Sequence, residues 1–297
     1  LVRKYNSVQL KMYPSGAPVN VPTGRKPQLS INATIDFAVM KELLTYLVDA
    51  CSYLKIEKDG IKRWKKLLSQ IPAYQINEDG AMKEWMHPDF TDNYHHRHQS
   101  HIYPLFPGFE ITKETDAGLF EACRVAVEKR RIIGIESQTG WSLAHMANIY
   151  ARLNQGNEAL ECLNLMSRST VGANLFTYHN DYRHMGVTSS GHGWQAYQID
   201  ANLGYTAAIT EMLVYSGKNM IKLLPALPEQ WMEGKISGAR CRGNFEVDIT
   251  WKNGQLDEAV ITSYGGKPCV VYYNGKSVSL NIPKGKSITL DGNLEQP

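Results

Sequence analysis

A chain of 297 residues that is 43% apolar and 21% charged carries enough hydrophobic material for one large domain or two ordinary ones. Its net charge of +3, without any Lys/Arg block interleaved with aromatics, lacks the footprint of a nucleic-acid binder. No apolar run is long enough to span a membrane, and five scattered cysteines (Cys51, Cys123, Cys162, Cys241, Cys269) without a C-x-x-C pair read as buried thiols.

Residues 1–31 are rich in Pro, Gly, Ser and Asn and read as an irregular segment. Residues 33–55 carry apolar side chains at helical spacing, and 61–70 form a shorter amphipathic helix stopped by Pro72. Residues 76–115 are mostly loop, long enough inside a compact domain to suggest function. Helices resume in "DAGLFEACRVAVEKR", whose basic last turn suits a helix C-terminus. "TGWSLAHMANIYARL" and "NEALECLNLM", joined by "NQG", read as an αα-hairpin. A Gly-, Ser- and His-rich loop covers 168–198, and residues 202–216 form a helix that ends at Gly217.

From about 235 the apolar period falls to 2. "NFEVDITWKNGQLDEAVITSY" and "CVVYYNGKSVSLNI" are each centred on Asn-Gly, a strong hairpin signal, and "KSITL" follows. The expected fold is mainly α, followed by a small antiparallel β domain. The chain begins at Leu1 without a signal segment and reads as a piece of a longer protein, which leaves its compartment unknown.

Four of the nine histidines fall within "HHRHQSH", residues 95–101. His98 and His101 share a helical face, but a catalytic zinc needs about three protein ligands in open geometry. Pro104 and Pro107 follow closely, and no H-E-x-x-H helix is present. No metal and no cofactor are expected.

The order of motifs narrows the reading. "HHRHQSHIYPLFPG", "TGWSLAHMANIYARLNQGNEAL", "NLFTYHN", "YQIDANLGYTAAITEMLVYS", "LLPALPEQW" and "ARCRGNFEVDITW" follow one another. This series resembles glycoside hydrolase family 95, the inverting α-L-fucosidases and their relatives, over residues 31–260. The resemblance implies an (α/α)6 barrel followed by a β domain. On that basis residues 32–234 are the second half of the barrel and 235–297 the C-terminal β domain. It implies a glycan substrate and a family that is often secreted or periplasmic.

Inverting hydrolysis needs an acid for the leaving oxygen and a base for water, roughly 6.5–9.5 Å apart. By resemblance, Asp200 in "YQIDANLG" is the base; its competing role is a helix N-cap. Arg97 and His98 match family residues that contact the sugar, with loop anchoring as the alternative, while His95, His96 and His101 are read as structural. The family's acid lies in a segment similar to "PSxSPEN". Here that segment is "PSGAPVN", with Val19 at the glutamate position. An isopropyl group transfers no proton, and such help is commonly worth ~10²–10⁴ in rate. Glu84, in "GAMKEW", is the substitute candidate, although a buried hydrogen-bonding role fits it better; Asp89 and Asp92 have weaker claims. Trp85 and Trp194 are candidates for stacking on a sugar ring, and Trp141 for the core. His145 and Asn244 depart from the family pattern, as does the long loop 181–194.

Two functions follow. One is a glycoside hydrolase acting on α-L-fucosyl or related linkages, with this piece alone inactive. The other is a carbohydrate-binding homologue that has lost its acid. A helical scaffold kept only for packing does not account for an Arg–His loop together with "QIDAN".

Overall fold

The computed structural model describes residues 2–3, 9–17, 20–25, 30–188 and 196–297. Two compact units follow one another, Leu1–Gln138 and Thr139–Pro297. A helical region gives way to a β region, as the change of period predicts.

The first unit opens with a short antiparallel pair, β1 (Val2–Arg3) and β2 (Lys11–Met12). Then α1 (Thr34–Leu54) packs against α2 (Lys58–Leu68). The reversal between them uses left-handed backbone at Lys55 (φ 58) and Glu57 (φ 53). It is closed as Ile56 N donates to Cys51 O at 3.0 Å. A long loop follows, with one turn of 3-10 helix at Ser100–Ile102. It holds a small core of its own, in which Trp85 packs with Ala17, Ala33 and Phe90. The next helix, α3 (Ala117–Ile133), starts where the Asp116 carboxylate accepts from Leu119 N at 2.9 Å and stops at Gly134.

The second unit begins with α4 (Gly140–Arg152), capped by Thr139 and Ser142 in a reciprocal box. It is buried along most of its length. It forms a hairpin with α5 (Gly156–Ser169) and packs closely on α6 (Ile199–Leu213). A Cβ on Gly204 of α6 would lie 3.0 Å from Ala144 Cβ, so the glycine lets the two helices approach without either giving way. Asn148 locks the contact by donating to Ala144 O at 2.8 Å and Gly204 O at 2.9 Å.

The helix predicted over 202–216 ends early. Residues 214–217 form β3 (Val214–Gly217), which turns back into β4 (Met220–Leu223). A β-branched and an aromatic residue begin this stretch, and the ladder with β4 outweighs continuation of the helix. The remaining strands are β5 (Gly234–Cys241), β6 (Phe245–Lys252), β7 (Gln255–Ser263), β8 (Pro268–Tyr273), β9 (Lys276–Asn281) and β10 (Lys286–Asp291). They complete two four-stranded sheets, ordered β10-β7-β6-β5 and β3-β4-β8-β9. Within the second sheet β4 and β8 run parallel.

Both predicted Asn-Gly hairpins are present. Asn253 (φ 54) and Gly254 (φ 69) join β6 to β7, and Asn274 (φ 45) and Gly275 (φ 76) join β8 to β9. Positive φ at both positions is what a type I′ turn requires. Along β6 the alternate residues Phe245, Val247, Ile249 and Trp251 point inward. They share one core with Ile221, Leu223, Val271 and Leu280 of the other sheet. All five cysteines are buried free thiols.

Candidate functional site

In the first unit the loop after α2 folds back on itself and delivers "GAMKEW" to the interior. Asn77 starts the reversal, its side-chain oxygen accepting from Asp79 N at 3.0 Å and Ala81 N at 2.9 Å. Glu84 then lies with its backbone held on both sides. Its N donates to Asp92 Oδ1 at 2.9 Å, and its O accepts from Thr34 N at 2.9 Å.

The Glu84 side chain is 1% exposed. Its Oε2 accepts from Asn20 Nδ2 at 2.6 Å and from Arg130 Nη2 at 2.9 Å. Burial pushes this carboxyl up from its ordinary range, while the Arg130 guanidinium and the Asn20 amide pull it back. Asp92 is also raised by burial and has Asn77 Nδ2 on its Oδ2 at 2.7 Å. This arrangement matches the buried hydrogen-bonding role for Glu84. A carboxyl without open surface offers no direct path for a proton to a bound sugar. Asp89 is exposed, 4.0 Å from His87 Nδ1.

Trp85 is fully buried. Stacking on a sugar needs an open ring face, and this indole has none, so its expected contact with substrate is not what the fold provides. Val19 and Trp194 lie outside the described residues.

The histidine loop is tied down by its own side chains and by α3. His96 Nδ1 accepts from His98 N at 3.0 Å, and the two rings meet edge-on with centroids 5.1 Å apart. Burial, with the charges of Arg130, His98 and Arg97 adding, pushes His96 down to about 3. With Nδ1 accepting from His98 N, the neutral ring carries its proton on Nε2. His101 is buried at 2% exposure, and His95 is exposed. Arg97 and His98 are half-buried, and the Arg97 guanidinium makes no hydrogen bond or ion pair with a described residue. Gly134, which ends α3, comes so close that an added Cβ would lie 2.3 Å from Tyr94 O and 3.4 Å from His96 N. Among the described residues no three His, Cys, Asp or Glu are grouped to hold a metal ion.

In the second unit Asp200 occupies the first turn of α6. The N-cap residue is Gln198, and the Asp200 side chain is exposed and bonds to no described residue. The capping alternative is thereby answered: the motif's other polar residues do the anchoring. Gln198 Oε1 accepts from Trp141 N at 2.8 Å. Asn202 Oδ1 accepts from Thr177 N at 2.9 Å and Thr177 Oγ1 at 2.8 Å, while its Nδ2 donates to Leu175 O at 2.9 Å. A Cβ on Gly140 would lie 2.5 Å from Tyr178 O, so a glycine is needed where the loop crosses the start of α4. Trp141 is half-buried, not core, and stacks on His145 at 5.3 Å and 10°.

Comparison with known proteins decides the family. The family described as "Glycosyl hydrolase family 95 catalytic domain" matches residues 1–213, and "Glycoside hydrolase family 95, C-terminal domain" matches residues 215–292. The chain belongs to glycoside hydrolase family 95. All the candidate residues of this family 95 chain fall within the catalytic match, and the junction at residue 214 is where α6 gives way to β3. It is 33% identical over 96% of its length to "Alpha-L-fucosidase 2" of Arabidopsis thaliana, covering 34% of that relative. It is 30% identical over 75% of its length to "Probable alpha-fucosidase A" of Aspergillus oryzae (strain ATCC 42149 / RIB 40), covering 31% of it. The chain thus spans about a third of the length of these curated relatives. In fold it is similar to a solved structure named "Putative kojibiose phosphorylase from human microbiome". The TM-score is 0.50 at 12% identity, over 97% of this chain and 39% of the other.

Two features of this family 95 site escape the sequence reading. Asn20 is visible only as a match to a motif, and Arg130 only as part of a basic helix end. No local signal separates Arg130, buried at 1%, from the more exposed Arg131 beside it.

Proposed function

We propose that the complete protein is an inverting glycoside hydrolase acting on α-L-fucosyl or related linkages. Asp200 is the general base, and Arg97 and His98 contact the sugar. Residues 32–234 are read as the second half of an (α/α)6 barrel, with 235–297 as the β domain behind it. The observation that carries the reading is the state of Asp200. In "QIDAN", Gln198 and Asn202 fasten the surrounding backbone, and the carboxylate between them is left exposed at a helix N-terminus. A capping or packing role leaves that pattern unexplained. The names of the relatives point to the same linkage.

A second reading is a carbohydrate-binding homologue with an impaired acid. It is favoured by Val19 at the family's acid position and by the burial of Glu84. Aryl α-L-fucosides separate the two readings, because an aryl leaving group needs little protonation. Turnover of both aryl and natural fucosylated glycans by the complete protein supports the hydrolase. Turnover of aryl substrates alone supports the impaired acid. Sugar binding without turnover of either overturns the enzyme.

A further inference from the structure

We infer that Arg130 is a positioning residue for sugar binding, acting through the histidine loop. Its guanidinium grips the backbone on either side of Arg97. Nη1 donates to His98 O and, at 3.4 Å, to His96 O, while Nη2 holds Glu84 Oε2 at 2.9 Å. The third closure comes from the loop itself, where His98 N donates to His96 Nδ1 at 3.0 Å. Arg97 therefore sits at the apex of a turn whose two flanking carbonyls converge on one buried cation. Glu84 anchors that cation and is itself anchored by Asn20. Gly134, four residues beyond Arg130, lets the backbone of α3 approach Tyr94 and His96 closely enough for the side chain to reach.

This geometry calls for arginine and not for a positive charge alone. One planar fork reaches a carboxylate and two carbonyls at once, which a single ammonium on a flexible stem does not. An apex fixed before substrate arrives spares the ordering of Arg97 and His98 at binding. The inference rests on the reading of Arg97 and His98 as sugar contacts.

The test uses the complete protein and L-fucose as the probe, titrated calorimetrically beside thermal unfolding. R97A measures the contact itself and is expected to weaken binding. R130K keeps the charge and is expected to weaken it on the order of ten- to a hundredfold, the scale of a small misplacement. In the R97A background R130K is expected to cost less than it does alone. Should R130K not fold, the paired replacement E84M/R130M removes the clamp without leaving a buried unpaired charge, and it is expected to show the same loss of affinity. A fall in melting temperature and in binding stoichiometry with Kd unchanged would mean a purely structural Arg130 and overturn the inference. Unchanged binding in R97A would instead overturn the sugar-contact reading and the inference built on it.

Discussion

Asn20 and Glu84, 64 residues apart in the chain, meet at 2.6 Å with both side chains buried at 1% exposure. The bond ties the "PSGAPVN" segment, read from sequence as the place of a missing acid, to the "GAMKEW" segment, read as its substitute. Through Asn20 and Glu84 the two segments share one interior network with Arg130. N20A strands part of the Glu84 carboxylate and is expected to cost about 1–3 kcal/mol. N20D sets a second carboxylate against the first and is expected to cost more. Chemical denaturation of the complete protein, with both variants side by side, gives the order.

Glu84 and Arg130 form an ion pair with neither side chain exposed. E84Q keeps the shape and removes the counter-charge. It is expected to destabilise by roughly 3–5 kcal/mol, because an uncompensated buried guanidinium remains. Replacing both partners with Met is expected to be far milder. If E84Q melts like the parent protein, the pair is not formed as described.

Gly134 has an ordinary negative φ of −98°, so its need for glycine is one of space. G134A drives a methyl toward Tyr94 O, 2.3 Å from its ideal position. Overpacking of this kind typically costs ~1–3 kcal/mol. A melting temperature within a degree of the parent would show that the loop gives way.

His96 carries a pH signature. Its ordinary value of 6.5 falls to about 3 in the fold, chiefly by burial. Between those values the unfolded chain holds the proton and the folded one does not. Stability contributed by His96 is therefore complete above about 6.5 and is lost as pH falls toward 3. H96N keeps an acceptor for His98 N without a titrating ring. It is expected to flatten the acid limb of melting temperature against pH. An acid limb identical to the parent's would rule out His96 as its source.

Asp200 is expected to behave in the opposite way to Glu84. D200N removes the proposed base and should lower turnover by at least ~10²–10⁴. It breaks no hydrogen bond to a described residue, so the melting temperature should hold. Full activity in D200N would move the base elsewhere.

Local chemistry made much of the fold legible. The Asn-Gly turns, the alternation along β6 and the helical spacing of α1 each follow from residues a few positions apart, and so they appear where expected. The helix drawn through 216 fails because a pairing with β4 and, beyond it, a parallel ladder with β8 decide residues 214–217. β4 lies only a short turn away, but the β8 strand that it pairs with lies some fifty residues on, beyond any local window. The site divides along the same line. Asp200 and the His96–His98 turn sit in motifs that can be read directly. Arg130 stands 46 residues from Glu84 and is shown to be interior only by what surrounds it. Trp85 shows the reverse: an aromatic beside a candidate acid suggested a platform, and packing with Ala17, Ala33 and Phe90 made it a wall.

The outer strands of the two sheets bear on what further strand could add to them. In one sheet the edge strand β5 is bulged between Ile236 and Ala239, carries exposed Lys235 and Arg240, and has its Gly238 amide bound to Asp248 Oδ1 at 2.6 Å. In the other, β9 exposes Lys276, Ser277 and Ser279. A flat row of unclaimed amides would template strand addition from a neighbouring molecule. On β5 the charges, the bulge and the occupied donor work against that template, so this edge disfavours strand addition.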